Sequence, residues 1–275
     1  MTLPSLQLNN GTSIPQIGLG TASLDDATVA RVLVTAVAAG YRHIDTAFRY
    51  GNQRGVGQGI RDCGVAREEL FVTTKLDGEH QGNDRAIAGL DECLRQLSLD
   101  YVDLLLIHWP LPWRNEYLST WKTFEQLVAA GKVRSIGVSN FKPAHLEALM
   151  AEATIRPVAN QIQLDPRITR ADHVEYDNAH DIVTVAWSPL GQGKDLLSEP
   201  VLRSIGAAHG KSPAQVVLRW NIERGLVTIP RSSNPARLAE NLNVFDFTLS
   251  AEEVAAISAL DTGAEPRVDS DTMGH

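Results

Sequence analysis

Eight short β-rich runs, each followed by a longer stretch of helical period, divide the chain between Ile17 and Asn243. No Ser/Pro-rich linker or low-complexity tract interrupts them. This alternation constrains the fold more than any other feature. Parallel neighbouring strands need a long crossover connection, usually a helix, and eight such units can close on themselves. The runs are Ile17 to Gly20, Arg42 to Asp45, Phe71 to Lys75, Val102 to His108, Ser135 to Val138, Val158 to Ile162, Ile182 to Trp187 and Val227 to Ile229. Between them, Val29, Val32, Leu33, Ala36 and Val37 share one helical face and Gly40 follows as a stop, while Ile87, Leu90, Leu94 and Leu97 repeat the pattern. The expectation is an α/β protein of one domain over residues 1–275, a TIM (β/α)8 barrel. A doubly wound open sheet is the competing closure.

Two additions frame the eight units. Leu6 to Ile14 reads as a hairpin turning at Asn10-Gly11, placed to plug the bottom of a barrel. Ser250-Ala-Glu-Glu opens a last amphipathic helix with a capping-box pattern, and the polar, Gly/Pro-containing tail after Asp261 reads as a loop. The formal charge of −8 argues against a large nucleic-acid surface, which needs clustered Lys and Arg. Cys63 and Cys93 lack metal-ligand spacing and read as reduced thiols. The N-terminus has no basic start followed by an apolar run, and no stretch is apolar enough to span a bilayer. The protein is therefore expected to be a cytoplasmic monomer without nucleic-acid or membrane partners.

Barrel chemistry gathers at the carboxyl ends of the strands. Here the runs end in Thr21, Asp45, Lys75, His108, Ser139 with Asn140, Gln161, Trp187 with Ser188, and Arg231. A partly buried Lys75 needs a counter-charge or loses its proton, and Asp45 is the natural partner. Its amine could serve electrostatically or as a Schiff-base former, or it could reach out to water. His108 follows a run too apolar to leave its imidazole unpartnered, so it is either a satisfied core histidine or a site residue. Tyr50, just past the second run, can fold back toward these groups, where a nearby ammonium would favour its phenolate. His80, His145, His173, His180 and His209 fall on presumed helices or loops and are read as surface.

Several motifs fail. Gly18-Leu-Gly20 meets Ser23 where a third Gly is required, and Gly55, Gly57 and Gly59 lie inside a helical segment, so neither is a dinucleotide fingerprint. Gly191-Gln-Gly-Lys194 lacks the first Gly and the final Ser or Thr of a phosphate loop. No His-Glu-x-x-His or Cys-x-x-Cys supports a metal site, and no Tyr-x-x-x-Lys is found.

The sequence resembles the aldo-keto reductases, in particular the bacterial branch containing the 2,5-diketogluconate reductases. The resemblance covers about Leu6 to Asp261. It rests on Gly40-Tyr-Arg-His-Ile-Asp-Thr-Ala, Phe71-Val-Thr-Thr-Lys, Ile107-His-Trp-Pro, Gly131-Lys-Val-Arg-Ser-Ile-Gly-Val-Ser-Asn-Phe and Trp187-Ser-Pro-Leu-Gly-Gln-Gly. It implies a catalytic tetrad of Asp45, Tyr50, Lys75 and His108, in which Tyr50 donates a proton, Lys75 lowers its pKa while pairing with Asp45, and His108 orients a carbonyl. It also implies a nicotinamide cofactor bound across the barrel mouth. Ser139, Asn140 and Gln161 would hold the carboxamide and Trp187 would stack on the nicotinamide. Thr21 and Ser188 stand beside them, Leu190, Gly191 and Gln192 would follow the pyrophosphate, and Arg231, Ser232, Arg237, Glu240 and Asn241 would take the adenosine end. Two arginines there favour NADPH over NADH, because guanidinium groups hold phosphate through paired hydrogen bonds. Ala22, Phe48, Asp77, Trp109 and Trp113 are the expected substrate wall, and Asp77 would make its rim acidic and hostile to anionic sugar acids. The expected activity is NADPH-dependent reduction of an aldehyde, ketone, keto sugar or dicarbonyl. A cofactor-binding regulatory subunit and a Lys75 Schiff-base lyase are the alternatives.

Overall fold

The computed structural model describes residues 3–193, 195–263 and 268–275. In chain order the elements are β1 (Ser5–Gln7), β2 (Ser13–Pro15), β3 (Leu19–Gly20), α1 (Asp26–Ala39), β4 (His43–Asp45), α2 (Gln53–Asp62), β5 (Phe71–Leu76), α3 (Asn83–Leu97), β6 (Val102–Ile107) and α4 (Tyr117–Ala129). There follow β7 (Val133–Ser139), α5 (Pro143–Glu152), β8 (Ala159–Gln163), α6 (Ala171–Ala179), β9 (Val183–Trp187), α7 (Pro200–His209), α8 (Pro213–Glu223), β10 (Val227–Ile229), α9 (Pro235–Leu242) and α10 (Ala251–Ser258).

Strands β3 to β10 pair in sequence order and every pairing is parallel. The ends meet through a parallel bridge between Ile17 and Thr228. Around it the Gly18 N–H donates to the Thr228 carbonyl at 2.9 Å, the Thr228 N–H donates to Gln16 at 2.9 Å, and the Gly20 N–H donates to Pro230 at 3.2 Å. These bonds decide for a barrel against an open sheet, which would leave both edges unpaired. Observed strand limits lie within two residues of the expected ones, as hydrogen-bonded ends do. In the first, Ile17 contributes only the isolated bridge, so β3 begins at Leu19.

The local signals act where they were read. The Asp25 side chain caps α1 by accepting from the Thr28 N–H at 2.7 Å, and Gly40 (φ 120°) ends it with its N–H on Ala36 and Val37. Ser250 and Glu253 form the capping box of α10. Strands β5 and β6 are buried at every position, because helices cover one side and the barrel interior the other. Helix α7, between β9 and β10, is an addition that the eight-unit pattern does not announce.

The hairpin of β1 and β2 closes the amino-terminal end. Leu8 and Ile14 are buried against Phe71, Val158 and Val227, at or next to the first residues of three strands. Burying each stabilises the fold by roughly 1.5–3 kcal/mol. The glycines of α2 serve packing: a Cβ on Gly55 would lie 2.2 Å from the Asp26 carbonyl oxygen, and one on Gly57 would lie 2.2 Å from that of Leu97. Their small size lets α2 sit against α1 and the end of α3.

Candidate active site

With the hairpin sealing one end, the other end receives the last side chains of the strands. Asp45 ends β4, Lys75 is the penultimate residue of β5, and His108 follows β6 directly. Lys75 is fully buried. Its ammonium donates to Asp45 Oδ1 at 2.6 Å, to the Thr46 carbonyl at 2.9 Å and to the Tyr50 hydroxyl at 3.3 Å. Tyr50 is brought back by a short 3-10 turn over Phe48–Tyr50, ended by Gly51 in the left-handed region (φ 66°). The Tyr50 and His108 rings meet edge to face, with centroids 6.0 Å apart. Four side chains from three separate segments of the chain thus surround one point.

The electrostatics follow from burial competing with charge. Burial pushes Lys75 toward its neutral form, but Asp45, helped by Tyr50, more than offsets this and leaves its pKa raised. A Schiff-base role requires a neutral amine, so this pairing opposes it. For Tyr50 the expected depression does not occur: burial outweighs the attraction of Lys75, and its pKa lies above the ordinary phenol value. The phenol therefore holds its proton. Burial, then Lys75 and His275, hold His108 well below the usual imidazole range, so it is neutral near pH 7.

The neighbouring strand ends form a continuous polar face. Gln161, on β8, donates to Asp45 Oδ2 at 2.7 Å. Ser139, closing β7, donates to the Gln161 carbonyl at 2.8 Å. Asn140, at φ 62°, donates to the His108 carbonyl at 3.0 Å and accepts from the Trp187 indole at 3.0 Å. Thr21 donates to the Asp45 carbonyl at 3.0 Å. A cleft of about 260 Å³ at the hairpin end brings no such set together; its Asp103 is already held by Arg67 and Arg134.

Comparison with known proteins agrees with this geometry. The profile of the Aldo/keto reductase family matches residues 15–262. The chain belongs to that family. It is 46% identical over 260 residues to an aldo-keto reductase of Mycolicibacterium smegmatis, covering 94% of each chain. It is 46% identical to the glyoxal reductase of Bacillus subtilis, covering 93% of this chain and 92% of that one. Among solved structures, a mutant of Gox0644 in complex with NADPH superposes with a TM-score of 0.94 at 40% identity, over 99% of both chains. The family expectation read from the sequence is thereby met; the relatives named here do not single out the diketogluconate branch.

The remaining residues divide. Around the mouth of this aldo/keto reductase, Ser188 (φ 53°), Gly191 (φ 65°) and Gln192 (φ 59°) hold a left-handed turn beside Leu190, and the Gln192 amide donates to Ser188 Oγ at 3.2 Å. Lys194 lies outside the described residues. Arg231 and Arg237 are exposed, and neither is taken by a carboxylate among the described residues. They flank the start of α9, where Asn234 accepts from the N–H groups of Ala236 and Arg237 and Ser232 accepts from the Asn234 N–H. Glu240 is instead engaged by the Ser212 hydroxyl and Asn241 is buried beside the Tyr41 hydroxyl, so both already serve helix packing.

Of the expected substrate wall, Trp109 is buried beside His108, Ala22 and Phe48 are half-buried, and Trp113 is 54% exposed. The acidic rim is corrected: Asp77 is 3% exposed, and its carboxylate is bound to His80 Nδ1 at 2.7 Å. The reading of all helix and loop histidines as surface is corrected as well, since His145 and His173 are buried. One site residue escaped the sequence reading altogether. His275 lies with its ring 4.7 Å from that of His108 and 5.8 Å from that of Trp109. Nothing local in Thr-Met-Gly-His signals this.

Proposed function

We propose that the protein is an NADPH-dependent carbonyl reductase acting on small aldehydes, with α-dicarbonyls such as glyoxal as the favoured class. The observation that carries this is the Lys75 ammonium held between Asp45 and the Tyr50 hydroxyl. Two exposed guanidinium groups without carboxylate partners among the described residues, Arg231 and Arg237, stand beside a capped helix start and suit the extra phosphate of NADPH. The match to a glyoxal reductase supports the substrate class.

When bound, NADPH supplies the hydride. Ser139, Asn140 and Gln161 would hold its carboxamide, and the Trp187 indole would offer the nicotinamide a stacking surface. Leu190, Gly191 and Gln192 would follow its pyrophosphate. Tyr50 holds the proton that the carbonyl oxygen takes up. Its raised pKa keeps it protonated until charge develops on that oxygen, and the buried ammonium 3.3 Å away then stabilises the phenolate it becomes. Neutral His108 orients the carbonyl by a hydrogen bond, and Asp45 keeps Lys75 charged and in place.

The protein acts as a single-domain monomer in the cytoplasm. The free thiols Cys63 and Cys93 suit a reducing compartment, the charge of −8 disfavours nucleic acid, and among the described residues no helix is long and apolar enough to cross a membrane. The test is NADPH consumption, followed at its absorbance band, with glyoxal, methylglyoxal and simple aldehydes. No turnover across that panel, with NADPH still bound, would move the assignment to a regulatory subunit.

A further inference from the structure

Asn52 immediately precedes α2, where an asparagine side chain ordinarily accepts from the opening N–H groups of the helix. It makes no such bond here. The carboxylate of Asp26, at the start of α1, takes over that task and accepts from the Gly55 N–H at 2.6 Å. The Asn52 amide is left for other partners, although it is fully buried.

Those partners lie on two segments around the catalytic cluster. Nδ2 donates to the Thr21 and Leu24 carbonyls, both at 2.8 Å, which spends its two hydrogens on the loop after β3. Oδ1 accepts from the Thr46 hydroxyl at 3.3 Å, just past the end of β4. Both Thr21 and Thr46 in turn hold the reacting groups. The Thr46 carbonyl accepts from the Lys75 ammonium at 2.9 Å, and Thr21 donates to the Asp45 carbonyl through its hydroxyl at 3.0 Å and its N–H at 3.1 Å. Asn52 itself follows Tyr50 by two residues, across the left-handed Gly51. Within the turn the Tyr50 N–H donates to Ala47 at 3.1 Å and the Gly51 N–H to Phe48 at 3.2 Å. Bonds of that short span shape the turn; the polar docking of its exit comes from Asn52.

We propose that Asn52 is a positioning residue for proton transfer: by tying the exit of the Tyr50 turn to Thr46 and to the loop after β3, it holds the Tyr50 hydroxyl within reach of the Lys75 ammonium. The proposal rests on the carbonyl-reductase reading of the same site and adds to it the side chain that fixes the distance between proton donor and ammonium. That distance, 3.3 Å, is at the long end for a hydrogen bond, so slight slack in the turn removes the contact. Tyr50 then loses the charge that stabilises its phenolate as the proton leaves.

The experiment measures kcat with methylglyoxal, the solvent deuterium isotope effect on it, and NADPH affinity by fluorescence titration. Asn52→Ala is expected to lower kcat by about 10–100-fold and to leave NADPH affinity within about twofold. Its solvent isotope effect rises above that of the parent protein, because the misplaced proton transfer becomes the slow step. A smaller fraction of correctly folded protein would lower kcat without changing that effect. In a Tyr50→Phe background Asn52→Ala lowers the residual rate no further, since it acts through the hydroxyl already removed. Thr46→Val keeps both contacts of the Asn52 Nδ2 and removes one hydroxyl, so it tests the same tie should Asn52→Ala not fold. It is expected to lower kcat by about three- to tenfold with a raised isotope effect, and Thr46→Ser to restore both. An unchanged kcat, or a loss with an unchanged isotope effect, overturns the proposal, as does full additivity with Tyr50→Phe. Absence of all turnover in the parent protein would instead refute the reductase reading.

Discussion

Replacing Asp45 by Asn tests the electrostatic core of the site most directly. The side chain keeps its shape, and its one oxygen can still face the Lys75 ammonium. Its amide then points at Gln161 Nε2, so a good 2.7 Å contact becomes two donors facing each other. More important, the fully buried Lys75 loses its counter-charge. The protein can keep the unpaired ammonium or release its proton, and the cheaper option bounds the loss. Releasing it at about pH 7, against an unfolded-chain value near ~10.4, costs about 4–5 kcal/mol, in line with the roughly 3–5 kcal/mol typical of breaking a buried pair.

The pH dependence has a definite sign. In the parent protein Lys75 has a raised pKa, so its contribution is fully present below about pH 10 and is lost only as pH rises through the folded value. In Asp45→Asn the folded pKa falls below the unfolded one. Between the two values the unfolded chain binds more protons, so the stability of the variant rises with pH. Urea unfolding followed by tryptophan fluorescence should show a gap of about 3–4 kcal/mol at pH ~7, shrinking to about 1–2 kcal/mol near pH ~9.5. Asp45→Asn combined with Lys75→Met should recover most of that stability and none of the activity. A gap below about 1 kcal/mol that does not change with pH would refute a charged, Asp45-dependent lysine.

Three further outcomes are expected. Tyr50→Phe removes the proton donor and should lower kcat by about 10²–10⁴-fold, while a fluorescence titration finds NADPH still bound. Arg231→Glu and Arg237→Glu should each raise KM for NADPH by about tenfold or more and leave NADH within roughly twofold; equal loss for both cofactors would place the arginines elsewhere. Asp177 lies wholly buried between Asn160 and Thr184, and burial, despite those two hydrogen bonds, raises its pKa from 3.8 to about 7. The folded carboxyl keeps a proton that the unfolded chain releases, so its penalty grows from about pH 4 to 7. Asp177→Asn can keep both contacts, and should gain up to about 4 kcal/mol relative to the parent over that range. Parallel stability curves would refute this account.

The eight alternations, the caps at Ser250 and Gly40, and the polar strand ends are local properties, set by period, propensity and turn chemistry within a few residues. They were therefore legible along the chain, and with them Asp45, Lys75 and His108, since the carboxyl end of a barrel strand is one place in space wherever the strand lies in the sequence. Tyr50 needed the return of its loop, which Gly51 makes. The balance of forces was not legible. That burial outweighs Lys75 at Tyr50 depends on distances of a few ångströms between separate segments of the chain, and that Asp77 turns to His80, three residues on, instead of the mouth depends on the short turn over Gly78–His80 and on what packs around it. The approach of His275 to His108 is the extreme case, joining residues from opposite halves of the chain through ion pairs at α5. Periodicity decides which element forms and which face it buries; only the packed fold decides which charges lose their water and beside whom.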